Sequence, residues 1–134
     1  GVDKRVTLIV GDLAFLYDLN ALSMLKDLVK PMTVILLNND GGGIFEFFPV
    51  SKLKNTYTKF FETPHGLTFH KAAELFNLNY AQSKSLSEFK KDYAQALKSE
   101  DSTIIEIQTN KKENFELQQK LRQQIKKFTN NRGE

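Results

Sequence analysis

Two residues with hard oxygen donors stand just beyond two short apolar runs. Val6-Thr-Leu-Ile-Val10 gives way to Gly11-Asp12, and Thr33-Val-Ile-Leu-Leu37 gives way to Asn38-Asn39-Asp40-Gly41-Gly42-Gly43. Asp12 brings a carboxylate; Asn39, 27 positions later, brings a neutral carbonyl oxygen. Both suit Mg²⁺, which takes six oxygens at about 2.1 Å and shares its shell with substrate phosphates. The glycine run lets the backbone bend, so the Gly41 carbonyl can supply a third ligand, with two diphosphate oxygens and a water completing the octahedron. A helix starting after Gly11 would offer N–H groups and a positive dipole end to the diphosphate. Each half also has a plainer reading. Asp after a strand commonly caps a helix, and Asn-Asp-Gly is a common turn. Taken together, behind two strands that lie side by side, they point to a shared cation site.

The elements that must position these residues are legible in outline. The two apolar runs suit strands buried on both faces of a parallel sheet. Between them Phe15, Leu19, Leu22, Leu25 and Val29 recur at helical spacing, predicting a helix over about 15–29 that Pro31 stops. Residues 44–66 are aromatic and irregular, too long for a plain connector. Phe69, Ala72, Ala73 and Phe76 predict a helix near 68–76. Ser85-Leu-Ser-Glu88 has capping-box spacing ahead of a helix near 86–98. Thr103-Ile-Ile-Glu-Ile107 is a third strand, and Leu117, Leu121, Ile125 and Phe128 stripe a terminal helix from about Asn110. Alternating strands and helices predict an α/β fold, a partial three-layer sandwich with an open, mostly parallel sheet of three or four strands and right-handed crossovers. Ligands in such sheets bind beyond the carboxyl ends of the strands, where Asp12 and Asn39 fall.

Composition narrows the classes. The chain has 134 residues, 40% hydrophobic and 26% charged, which reads as one globular domain. It has no Cys, so disulfides, thiolate metal sites and Cys nucleophiles are excluded. No apolar run approaches a membrane span, and the N-terminus reads without a signal-peptide core, so a cytoplasmic protein is expected. The net charge of +3 is uneven: after Thr109 seven Lys and Arg face three Glu, while the remainder is slightly acidic. That reads as a solvated helix face, and no nucleic-acid motif accompanies it.

Gly11-Asp12, a helix, a strand and Asn38-Asn39 resemble the signature of the thiamine diphosphate (ThDP) enzymes, which opens Gly-Asp-Gly and closes Asn-Asn. Leu13 replaces the last Gly of the opening motif. Gly11-Asp-Leu-Ala-Phe-Leu-Tyr-Asp-Leu-Asn20, Asn38-Asn-Asp-Gly-Gly-Gly-Ile-Phe45, Pro49 and Thr63-Pro-His-Gly66 are similar to one branch in which that departure is expected. This branch comprises the 2-succinyl-5-enolpyruvyl-6-hydroxy-3-cyclohexene-1-carboxylate (SEPHCHC) synthases of menaquinone biosynthesis. The resemblance implies that residues 1–134 are the C-terminal part of a ThDP diphosphate-binding domain. It implies metal ligation of Mg²⁺ (or Mn²⁺) by Asp12, Asn39 and the Gly41 carbonyl. It also implies cofactor contacts from Gly11, Asp12, Leu13, Ala14, Asn39, Gly41, Ile44 and Phe45. The implied reaction decarboxylates 2-oxoglutarate and adds the succinyl carbanion equivalent to isochorismate. The implied partners are the remaining domains of the same enzyme and a second subunit, with the activating glutamate outside this chain, so no residue here is given a catalytic role. The other readings are a different decarboxylating ThDP enzyme, such as an acetohydroxyacid synthase, and a non-catalytic anion-binding module. In the module, Asp12 and Asn39 would point apart; in the shared site their side-chain oxygens should come within about 5 Å.

Several neighbours carry two readings each. Ile44 and Phe45 either wall the cofactor pocket or pack in the core, and Phe47 and Phe48 read as a patch meeting a partner domain. His65 is a substrate contact or a turn residue; His70 reads as a surface or capping group, and two His without a third ligand do not make a zinc site. Asp40 reads as a turn former that orders the loop, and Asp18 as part of the crossover helix. Glu46 and Glu62 have no spacing argument. Arg5, ahead of the first strand, falls at the wrong end of the sheet for the site.

Overall fold

The computed structural model describes residues 4–130; the terminal residues 1–3 and 131–134, with Arg132 and Glu134 of the basic tail, lie outside it. Strand β1 (Val6–Gly11) runs into α1 (Asp12–Tyr17), a short helix followed by 3₁₀ turns over Leu19–Asp27. Strand β2 (Met32–Asn38) follows, then a chain of 3₁₀ turns (Gly43–Phe47, Pro49–Lys52), the single turn α2 (Lys54–Tyr57) and a π turn (Thr58–Glu62). Helix α3 (His70–Leu75), β3 (Asn79–Gln82), α4 (Leu86–Ala96), β4 (Thr103–Gln108) and α5 (Lys111–Asn130) complete the order.

All strand pairs are parallel, in the order β1-β2-β4-β3. The register sets Val10 beside Leu36 and Gly11 beside Leu37, so Asp12 and Asn38–Asn39 leave the sheet at the same edge. On one face Val34, Leu36 and Ile104 pack with Phe15, Leu22, Phe69, Ala73 and Leu78, which places α1, the following 3₁₀ turns and α3 there. The Phe15 and Phe69 rings meet edge to face with centroids 5.1 Å apart, a favoured aromatic geometry. Helix α4 covers the other face, where Thr7 Oγ1 and the Tyr93 hydroxyl lie 3.0 Å apart. Three layers result, as the sequence predicts.

Three expectations need correction. The helix expected over 15–29 is a six-residue α-helix with 3₁₀ turns behind it, because the α pattern stops at Asp18. Asp18 therefore caps α1 instead of lying inside a crossover helix. Strand β1, expected to be buried on both faces, is an edge strand whose Leu8 and Ile9 are exposed, since only β2 pairs with it. The fourth strand, β3, is short and polar at both ends (Asn79, Gln82), so it carries no apolar run to read. Among the described residues no helix is long and apolar enough to cross a membrane.

Candidate cofactor and metal site

Asp12 opens α1 and is 3% exposed. A carboxylate removed from water in this way needs donors, and four surround it. Leu13 N–H donates to Oδ1 at 2.8 Å. Asn39 N–H (3.1 Å), Gly41 N–H (2.9 Å) and the His65 Nε2 (3.1 Å) converge on Oδ2. The loop after β2 is thus wrapped around the Asp12 carboxylate by its own backbone.

Asn39 completes the cluster. One terminal atom of its amide lies 3.2 Å from each Asp12 carboxylate oxygen and 2.8 Å from the Gly41 carbonyl oxygen. With nitrogen in that place, the amide donates to all three. With oxygen there, the amide faces acceptors only, and its oxygen lies 2.8–3.2 Å from oxygens of both Asp12 and Gly41. That spacing equals the edge of an octahedron with ligands at about 2.1 Å, and a cation removes the repulsion. The donor set of one carboxylate, one amide oxygen and one carbonyl has the hardness Mg²⁺ or Mn²⁺ takes. The residues present therefore fit such an ion. The two side chains meet at the strand ends rather than pointing apart.

The backbone explains the glycines. Gly41 has φ +115°, and a Cβ there would run into the Glu62 carbonyl oxygen; at Gly42 it would meet the Phe61 carbonyl oxygen. Gly42 N–H donates to that Glu62 carbonyl at 2.6 Å. Residues 58–66 thus lie as a strap against the glycine loop, closer than any side chain permits. Asp40, in the left-handed region at φ 60°, ties the strap down. Its Oδ1 accepts from Gly66 N–H (2.7 Å) and His65 N–H (2.9 Å). The Gly66 N–H, joined by the His65 N–H and the nearby Lys111 charge, holds the Asp40 carboxyl below its ordinary range, against the opposing effect of burial. This is the ordering role the sequence suggests for Asp40.

Three contributors escaped sequence reasoning. Lys111, counted only among the tail charges, donates to the Asp40 carbonyl and to Glu62 Oε1, both at 2.8 Å. Glu62, without a spacing argument, is thereby the other half of an ion pair. Glu106 is fully buried and accepts from Asn38 Nδ2 (2.7 Å), Phe69 N–H (2.9 Å) and the Tyr80 hydroxyl (2.7 Å). Asn38 Oδ1 in turn accepts from Asp40 N–H at 3.1 Å. Glu106 therefore anchors the loop from below, and a charged residue inside an otherwise apolar strand was the available signal. Burial and the Glu106 carboxylate raise the Tyr80 phenol above its usual range.

The other expected cofactor contacts are placed more loosely. Gly11 and Ala14 are exposed at the start of α1, and nothing in the chain lies within 4 Å of where a Gly11 Cβ would stand. Leu13 is half-buried, and its N–H is already held by Asp12. Ile44 is 67% exposed, while Phe45 packs edge-on against Phe61 at 5.5 Å. Phe47 meets Phe115 and Arg122 of α5, so it is not part of an open patch; Phe48 is exposed. His70 lies on the surface at the start of α3, its ring edge-on to Tyr80. Arg5 donates to the Ser99 carbonyl at the amino end of the sheet, away from the site. A polar cleft of about 590 Å³ opens beside the loop between Asn39, Glu46, Glu62 and Lys111.

Residues 2–107 match the family described as "Thiamine pyrophosphate enzyme, C-terminal TPP binding domain". The chain belongs to this ThDP-enzyme family. Relatives named 2-succinyl-5-enolpyruvyl-6-hydroxy-3-cyclohexene-1-carboxylate synthase share 42% identity over 128 residues in Chlorobium luteolum and 44% over 121 residues in Rubrobacter xylanophilus. These matches cover 96% and 90% of this chain but 22% and 21% of the relatives, so the chain spans about a fifth of their length. Among solved structures, the ThDP-dependent 4-hydroxybenzoylformate decarboxylase of Rhodococcus jostii superposes with a TM-score of 0.69 at 27% identity, covering 81% of this chain and 20% of that one. Benzoylformate decarboxylase of Polynucleobacter necessarius shares the fold, with a TM-score of 0.69 at 18% identity. The chain is a ThDP-binding C-terminal domain homologous to SEPHCHC synthases.

Proposed function

We propose that this chain is the cofactor- and metal-anchoring part of a SEPHCHC synthase. In this reading Asp12, Asn39 and the Gly41 carbonyl hold Mg²⁺ or Mn²⁺, and the ion binds the ThDP diphosphate. Gly11, Leu13 and Ala14 edge the diphosphate at the start of α1, while Ile44 and Phe45 wall the pocket beside the glycine loop. The observation that carries the reading is the convergence of Asp12, the Asn39 amide and the Gly41 carbonyl within 2.8–3.2 Å. The names of the relatives favour a SEPHCHC synthase over an acetohydroxyacid synthase.

ThDP, when bound, supplies the electron sink for decarboxylation of a 2-oxo acid. The residues of this chain do quieter work. Asp12 would offset part of the ion's charge and, with the neutral Asn39 oxygen, orient it, and the glycine loop would bring backbone close to it. The strap of residues 58–66, pinned by Asp40 and Lys111, keeps that loop in one shape. The substrates in this reading are 2-oxoglutarate and isochorismate, and the enzyme is cytoplasmic. The remaining domains and a second subunit supply the activating glutamate and the substrate-gripping residues. The test is ThDP-dependent carbon dioxide release from 2-oxoglutarate, with Mg²⁺ titrated, in the full-length protein and its Asp12→Ala variant. The variant should lose metal and cofactor binding and, with them, activity. Undiminished turnover would remove Asp12 from the ligand set.

A further inference from the structure

His65 reaches Asp12 from across the strap, and its ring has one arrangement. Leu67 N–H donates to Nδ1 at 2.9 Å. Nδ1 must therefore present a lone pair, and Nε2 carries the proton it gives to Asp12 Oδ2 at 3.1 Å. The side chain is 9% exposed and lies edge-on to Phe69, with centroids 5.9 Å apart. The backbone bearing it is clamped by Asp40 Oδ1, which accepts the N–H groups of His65 and Gly66. The contact therefore crosses 53 residues of sequence with the backbone, the tautomer and the ring plane all constrained.

The consequence concerns the two oxygens of Asp12. With the Asn39 amide oxygen facing the cluster, as a metal ligand requires, Oδ2 takes the Asn39 and Gly41 N–H groups and His65, whereas Oδ1 takes only Leu13 N–H. The Asn39 and Gly41 donors belong to the same loop as the other proposed ligands, so they move with it. The His65 donor comes from a separate segment and fixes the carboxylate against the rest of the domain. We infer that His65 is a positioning residue: by holding Oδ2 it turns Oδ1 of Asp12 toward the cation and couples the 58–66 strap to the metal loop. The inference rests on the proposed metal site. Partners that orient a ligand in this way commonly change metal affinity by about 10- to 100-fold.

Two substitutions separate orientation from mere loop structure. In His65→Gln the side-chain amide can still place an N–H near the Nε2 position. In His65→Asn the shorter amide can still accept from Leu67 N–H but does not reach Asp12. In the full-length protein, Mn²⁺ binding in the presence of ThDP, read by electron paramagnetic resonance, should weaken about tenfold or more in His65→Asn. It should return to within about threefold of the parent in His65→Gln, with the melting temperature of the metal-free protein unchanged in both. Parental binding by His65→Asn overturns the inference, as do equal losses in the two variants. A metal-free melting temperature that falls in step with binding assigns a structural role and overturns it too. Asp12→Ala, measured alongside, keeps the failures apart: if it binds Mn²⁺ like the parent, the metal-site reading itself is wrong. If it loses the ion while His65→Asn does not, only the role of His65 is.

Discussion

Gly11 and Gly41 stand at the two ends of the same site, and a methyl group tests each differently. At Gly11, φ is −81° and a Cβ enters open space. Gly11→Ala should leave stability within about 0.5 kcal/mol of the parent. If a diphosphate approaches this turn, the methyl stands in its way, and ThDP affinity in the full-length protein should fall at least about tenfold. Melting and cofactor titration on one preparation decide it; unaltered affinity would place the diphosphate elsewhere. At Gly41, positive φ and the Glu62 carbonyl both oppose a side chain. Gly41→Ala should cost about 1–3 kcal/mol in denaturant unfolding, from strain alone. Tyr80 makes a separate, alkaline prediction. Burial and the Glu106 carboxylate raise its folded-state pKa above the unfolded value near 10. The stabilisation is therefore complete below about pH 10 and lost as pH rises toward the folded-state value. Tyr80→Phe should be less stable than the parent at pH 8, by about the worth of one hydrogen bond to a charged group, roughly 1.5–3 kcal/mol. It should lose less stability than the parent between pH 9 and 11. A gap that stays constant with pH would contradict this account of Tyr80.

Among the elements, α4 is the one whose start the sequence marks most sharply. Ser85 Oγ accepts from Glu88 N–H at 3.2 Å, and Glu88 reaches back one residue farther than the usual box, to Lys84 N–H at 2.8 Å. Ser85→Ala should cost about 1 kcal/mol in denaturant unfolding, and no loss at all would mean that the cap contributes nothing. Helix α4, β2, β4 and the start of α5 were legible because each carries its own local signal: a cap, a continuous apolar run, or a stripe. The shared exit of Asp12 and Asn39 was legible because it depends only on parallel pairing of two such runs. What the sequence could not carry is what depends on distant partners. Strand β3 exists because β4 lends it a ladder, not because Asn79-Tyr80-Ala81-Gln82 is apolar. The strap over the glycine loop is likewise non-local. Lys111 and Glu62 are 49 residues apart and His65 and Asp12 are 53 apart, so no window on the sequence contains either pair. The exposure of β1 is a matter of neighbours rather than composition: a strand rich in Val, Leu and Ile is buried only if something pairs or packs on both sides.

At the scale of the whole molecule, the anchoring half of a site is built and its surroundings are open. The metal-loop cluster is rigidly satisfied, yet Ile44 stands 67% exposed beside it, and the cleft at Asn39, Glu46, Glu62 and Lys111 opens to solvent. Elsewhere Leu8 and Ile9 on β1 and Leu117, Leu121, Ile125 and Phe128 on α5 leave apolar surface uncovered. The α5 residues recur on one helix face, exposed apolar surface of that kind marks contact sites, and the relatives are about five times the length of this chain. In the proposed site, three ligands on one face of an octahedron would hold an ion weakly when the diphosphate has no other wall, because each remaining position is contested by water. Decarboxylation further requires the reacting centre to be shielded from water and given a proton-handling group, and the proposed reading assigns neither to the described cluster. The 134-residue chain alone is therefore expected to bind Mg²⁺–ThDP far more weakly than the full-length protein and to release no carbon dioxide from 2-oxoglutarate. On the proposed function, the full-length protein should bind Mg²⁺–ThDP tightly, release carbon dioxide from 2-oxoglutarate and consume isochorismate. Isothermal titration with Mg²⁺–ThDP and a carbon dioxide assay, run on the two proteins side by side, give the comparison. Turnover by the short chain at a rate near that of the long one would show that this domain holds a complete active site, and the division of labour argued from its open face would be wrong.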